Sequence, residues 1–215
     1  MGKPSKSGVL IRPVSRRKEG FPVSVETKHI TLADGTSGAA YGLNLSDVEV
    51  PDRHYHARTC GIDYANDTID LLFAQPRRDN TKQLRTLLVV SMPSMTILPL
   101  IDNISRMQNP SLAEIVSKTH ITMEPVTTLQ AEADQTVEVD ANIVAAAFSG
   151  NESCLDFYHA SAFSIAALPA TNRLNLIPVV RVNARTSLIL GLIERLRELQ
   201  KEFPPHVQQW RNTHE

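Results

Sequence analysis

The chain has 215 residues, 42% of them hydrophobic and 21% charged, with a formal net charge of −1. That balance gives no global attraction to nucleic acid or to an anionic membrane, and the length allows one sizeable core or two small ones. Two cysteines, Cys60 and Cys154, are too few for a disulfide framework and lack metal-ligand spacing; no run of about 18 apolar residues predicts a membrane span.

Residues 1–22 read as a basic arm. Residues 1–30 hold seven basic side chains against Glu19 and Glu26, a local net charge of +5 that leaves −6 for the remainder. The arm lacks the apolar centre of a secretory signal, and the expectation is a cytoplasmic protein of bacterial type. From Val23 the apolar residues alternate (Val23, Val25, Ile30, Leu32), the pattern of strands with one buried face, and Asp34-Gly35 marks a hairpin turn. Tyr41, Leu43 and Leu45 continue the period, and Val48 and Val50 predict a further strand ended by Pro51. Ile62 and Tyr64, a turn at Asn66-Asp67, and Ile69, Leu71 and Phe73 give a second hairpin; 86–92 is a near-continuous apolar strand. A helix capped by Thr96 follows, with Pro99 in its first turn and Ile97, Leu100, Ile101, Ile104 and Met107 on one side. Ser111-Leu112-Ala113-Glu114 has the form of a capping box and predicts a short linker helix.

A second set of elements starts near His120. Val137 and Val139 lead into a small-residue strand at 141–148, Gly150-Asn151 turns the chain, and Leu155 and Phe157 repeat the pattern of Leu71 and Phe73. Residues 159–175 read as an irregular connection. The strand at 176–182 precedes a helix in which Thr186 takes the place of Thr96 and Ile189, Leu192, Ile193, Leu196 and Leu199 form an i, i+3, i+4, i+7 stripe. Short matches between the halves are offset by 91 (His29 to His120), 89 (Val48 to Val137) and 84 (Phe73 to Phe157) residues. The predicted fold class is α+β: two tandem repeats of antiparallel strands followed by an amphipathic helix. The expected boundaries are an arm at 1–22, repeats at 23–109 and 119–203, a linker helix at 110–118 and a tail at 204–215.

Ala141-Asn142-Ile143-Val144, Glu152-Ser153-Cys154-Leu155-Asp156-Phe157, Val180-Arg181-Val182 and the closing helix resemble a short bacterial and archaeal family known as a domain of unknown function. Its members carry an Ala-Asn-x-Val strand, a Leu-Asp-Phe strand, an Arg-Val strand and a helix. The resemblance covers 141–199 and more weakly 57–107, departing at Ser153, where an aromatic is usual, and at Arg58, which stands for Asn. The strand–strand–strand–helix order is also similar in topology to the SecB export-chaperone module, an analogy that implies oligomers and the holding of extended polypeptide.

Chemistry-bearing patterns are sparse. His54 and His56, beside Asp52, form a His-x-His pair able to offer two imidazoles to a metal, in a segment that reads as an insertion absent from the second half. No nucleophile elbow and no phosphate-binding glycine loop occurs. Arg12, Arg16, Arg17 and Lys18 could neutralise several phosphates. Leu188, Leu192, Leu196 and Trp210 are the candidate protein-interface residues. The expectation is a non-catalytic protein-binding or assembly protein without a cofactor, with a protein partner and self-association. A nucleic-acid-associated protein using the arm and a structural subunit of a larger assembly are the alternatives.

Overall fold

The computed structural model describes residues 20–31, 37–44, 48–77, 83–106 and 136–203. Their elements are β1 (Phe21–Thr31), β2 (Ser37–Leu43), β3 (His54–His56), β4 (Thr59–Ala65), β5 (Thr68–Pro76), β6 (Leu84–Pro93), α1 (Ser94–Arg106), β7 (Val137–Asp140), β8 (Ile143–Ser149), β9 (Glu152–Ala160), α2 (Ala162–Thr171), β10 (Arg173–Arg185) and α3 (Thr186–Leu199). The expected Asp34-Gly35 turn, linker helix, His120 region and Trp210 tail lie outside the described residues.

The α+β class holds. The strands form two sheets, β2-β1-β10-β9-β8 with β3 also on β10, and β4-β5-β6-β7, rather than one continuous sheet. β4, β5 and β6 make an antiparallel meander, as do β8, β9 and β10. The short strand before each meander does not pair within it. β3 runs parallel to β10, placing His54 opposite Arg181, and β7 runs parallel to β6, placing Glu138 opposite Val89. Because β3 passes straight into β4 and β7 into β8, the ladders link into a ring: β10, β3–β4, β5, β6, β7–β8, β9 and back to β10.

The joints between those strand pieces are held alike. Ala57 N–H donates to the Asn183 carbonyl (2.9 Å) and Ala141 N–H to the Ser91 carbonyl (3.0 Å). Arg58 N–H donates to Ala74 (2.9 Å), Asn142 N–H to Tyr158 (3.0 Å); each helix start is tied to the opposite turn, Ser94 N–H to Asp67 (2.8 Å) and Thr186 N–H to Asn151 (2.9 Å). Corresponding residues stand 84 apart through β3/β7, β4/β8 and β5/β9, and 92 apart from β6/β10 onward. His54–His56 and Val137–Asp140 take like places at these joints, whereas Val48–Val50, expected as a strand, lies outside every strand. α1 begins at Ser94 rather than after a Thr96 cap, which moves Pro99 to the sixth helical position and deprives the Met95 carbonyl of its helical donor. Thr186 does not cap α3 either: Arg185 is the N-cap, and the Thr186 hydroxyl donates to the Gly150 carbonyl at 2.7 Å.

The ring encloses one shared core. Ile69, Leu71 and Phe73 of β5, Leu88, Val90 and Met92 of β6, Leu155 and Phe157 of β9, and Val180 and Val182 of β10 are fully buried. Phe73 and Phe157, 84 residues apart, meet edge-on with centroids 6.0 Å apart. α1 lies along β8 and α3 along β4, so each helix flanks a strand whose ladder ends there. The predicted α3 stripe holds: Ile189, Leu192, Ile193 and Leu196 are buried and Leu199 half-buried, while Arg195–Glu198 and Arg197–Glu194 ion pairs occupy the outer side. The turn at Gly150 sits at φ +59°, a conformation that glycine adopts without a steric penalty.

Candidate interaction surface

A second, smaller core lies on the outer face of the first sheet. Phe21, Val23 and Val25 of β1, Tyr158 and Ala160 of β9 and Leu174 and Leu176 of β10 gather around Leu168 of α2. Residues 159–175, expected to be irregular, hold this helix between β9 and β10. The local chemistry explains it: alanine is the strongest helix former, and both ends are capped. Ser161, with extended backbone, accepts the Ser164 N–H on its hydroxyl (3.2 Å). Asn172 stops the helix in the left-handed conformation (φ 49°), its N–H donating to Leu168 (2.9 Å). The Thr171 hydroxyl donates to the Ala167 carbonyl (3.0 Å), and the Ser164 hydroxyl accepts the Asn175 N–H (2.7 Å), fastening the helix to β10.

What this well-held helix presents outward is unusual. Leu168 is its only buried residue. At 100° per residue, Ala162, Phe163, Ala166, Ala167, Pro169 and Ala170 fall on the side away from Leu168, and all are exposed. Phe163 is 89% exposed and Ile165 46%. No charged residue occurs from Ala160 through Asn172. A helix apolar all round is normally buried; this one has an apolar back and an apolar front, and among the described residues only the back is covered. The pattern escaped the sequence reading because periodicity requires a polar side for contrast. The signals available were the Ser161 cap, the alanine-rich run and the Asn172 stop.

Beside this core lies the main buried polar cluster of the face. Cys154, Asp156 and Tyr158 project from β9 opposite to Leu155 and Phe157. Arg181, across the ladder from Asp156, donates from Nε to Oδ1 and from Nη2 to Oδ2, both at 2.5 Å. The Tyr158 hydroxyl donates to Asp156 Oδ2 at 3.4 Å. Burial, then the neighbouring Asp156 charge, push the Tyr158 phenol upward. The same two causes raise Cys154, opposed by Arg181 and by a backbone hydrogen bond from Ala147. Cys60 in the main core is pushed up by burial to about 12. Both thiols and the phenol are therefore protonated near neutral pH, and Arg181 is committed to Asp156. The cluster ties β9 to β10; it does not assemble an activated nucleophile.

The residues singled out from sequence fall as follows. His54 and His56 share one side of β3 and are exposed; His54 Nε2 lies 2.7 Å from the Pro51 carbonyl, and Gln75 Nε2 donates to the His56 carbonyl. Among the described residues no group of three or more His, Cys, Asp or Glu side chains is placed to hold a metal ion. Leu192 and Leu196 are 1% and 0% exposed and belong to the chain's own core, which removes them from any interface of the folded protein; Leu188 is half-buried. Trp210, Arg12, Arg16, Arg17 and Lys18 lie outside the described residues. No described helix is long and apolar enough to cross a membrane. No protein-family model, no curated protein and no solved structure matches the chain.

Proposed function

We propose that this chain is a non-catalytic binding and assembly protein that engages another polypeptide through the outward face of α2. The observation carrying this is the 89% exposure of Phe163 on a doubly capped, uncharged helix; contiguous apolar surface of this kind marks an interaction site. The two halves are read as divergent tandem copies of one strand–strand–strand–helix module, joined by exchange of β3 and β7. Against that common plan, α2 is an addition, as is the β1–β2 pair beside β10. Counterparts change from 84 to 92 residues apart between β9 and β10, a gain of eight residues at α2. Function is commonly carried by such additions to a scaffold. The order of strands and helix favours an adaptor or chaperone-like role in which polypeptide is held by apolar contact.

The test is retention on immobilised protein. Wild-type chain and Phe163→Asp are challenged with extract from the native host. A polypeptide retained in stoichiometric amount by wild type and lost by the variant, with both melting at the same temperature, supports the reading. Equal retention by both removes α2 from it.

A further inference from the structure

We infer that β3 carries a surface site for a borderline divalent metal ion, chelated between the imidazoles of His54 and His56 with water in its remaining positions. The site is separate from α2, and its test does not depend on polypeptide binding.

The backbone sets the spacing. Tyr55 packs inward against the main core, so the histidines on either side of it point outward, and both are exposed. Residues two apart on a strand stand about 6.6 Å apart at Cα, a gap that two imidazoles close when both bind one ion at about 2.0–2.1 Å. β3 is short but firmly held. Besides its parallel ladder to β10, Arg181 N–H donates to the Arg53 carbonyl (2.8 Å) on one side of the pair and Ala57 N–H to the Asn183 carbonyl (2.9 Å) on the other. Gln75 Nε2 donates to the His56 carbonyl. The separation is thus set by the fold before any ion binds.

The tautomer is set as well. A carbonyl oxygen only accepts, so His54 Nε2, 2.7 Å from the Pro51 carbonyl, carries the ring proton, and Nδ1 of the neutral ring keeps its lone pair. A backbone carbonyl on the other ring nitrogen is the usual support of a metal-binding histidine. Among the described residues nothing engages Nδ1 of His54 or either ring nitrogen of His56. The cation across the ladder from His54, Arg181, is neutralised by Asp156, and Asn183, across from His56, is uncharged.

Ligand chemistry narrows the ion. Imidazole nitrogen suits Cu²⁺, Ni²⁺ and Zn²⁺, with Cu²⁺ bound most tightly, and does not suit the hard Mg²⁺ and Ca²⁺. No third His, Cys, Asp or Glu side chain completes the set among the described residues. The ion therefore keeps exchangeable positions and is taken up reversibly, unlike an ion in a closed structural site.

The experiment titrates the purified full chain with Zn²⁺ and with Cu²⁺ by calorimetry, alongside His54→Gln, His56→Gln and the double variant. A chelate needs both rings, so each single variant should lose at least about tenfold in affinity and the double variant little more. Histidines that bind separately give the opposite pattern, in which each single variant loses only its own share and the double variant the sum. That pattern overturns the inference, as does a wild type that binds no more tightly than the double variant. A second readout uses the wild-type chain alone. Long-range ¹H–¹⁵N spectra of histidine-labelled chain should show His54 as the Nε2–H tautomer, and one equivalent of Zn²⁺ should shift its Nδ1 together with a ring nitrogen of His56. A shift at one histidine without the other contradicts a shared ion. Thermal melts of the variants should match wild type, because both side chains are exposed.

Discussion

Asp156 and Arg181 show how one pair of side chains holds the outer face together. The carboxylate side chain is 11% exposed and the guanidinium 24%; a pair this sheltered is costly to break and adds little if both members are replaced by apolar groups. Arg181→Met, which strands the carboxylate, is expected to lower stability by about 3 kcal/mol, or roughly 6–12 °C in Tm for a chain of this size. Asp156→Leu with Arg181→Met should recover most of that loss in the same thermal melt. The thiol of Cys60 makes a second residue-scale prediction. Its folded pKa is raised from 9.0 to about 12, so above pH 9 the unfolded chain releases a proton that the folded chain keeps. Its contribution is complete below pH 9 and is lost as pH rises toward 12, at up to about 1.4 kcal/mol per pH unit. Tyr158, raised in the same direction, steepens the decline from pH 10. Urea titrations of Cys60→Ala across this window should show a shallower alkaline fall than wild type.

At the scale of elements, the two sides of α2 make opposite predictions. Leu168 is 7% exposed within the second core, and Leu168→Ala should cost about 2–4 kcal/mol. Phe163→Asp, on the outward side, should change stability by less than about 0.5 kcal/mol. Equal losses in the two variants, measured by urea denaturation, would mean that the helix is seated otherwise. The contrast also explains what sequence could reveal. β5, β9 and α3 were legible because buried and exposed positions alternate with the period of the element: Leu71 and Phe73 in β5, Leu155 and Phe157 in β9, Ile189 to Leu196 in α3. α2 was not, since apolar residues on both sides leave no period to detect. Val48 and Val50 alternate ahead of Pro51 as a strand would, yet they lie outside every strand, whereas His54–His56 forms a parallel ladder to β10 that leaves no local trace.

For the whole molecule, the consequence of that ladder is mutual dependence. β3 completes the sheet of the second half and β7 that of the first, and the main core draws on both. The pairing of β3 with β10 and of β7 with β6 was not visible in sequence, because partners about 50 and 130 residues apart are set by tertiary packing and not by propensity. Fragments spanning 48–106 and 136–203 should each lack a cooperative thermal transition by circular dichroism and gain one on mixing; independent folding of either would contradict a shared core. Beyond the two meanders and their flanking helices, the described residues add the β1–β2 pair beside β10 and the helix α2. The most direct measurement replaces Phe163 with the photo-crosslinker benzoylphenylalanine in the full chain and exposes it to extract from the native host. The account predicts a cross-link from position 163 to another polypeptide. Cross-links confined to the chain's own residues would contradict it.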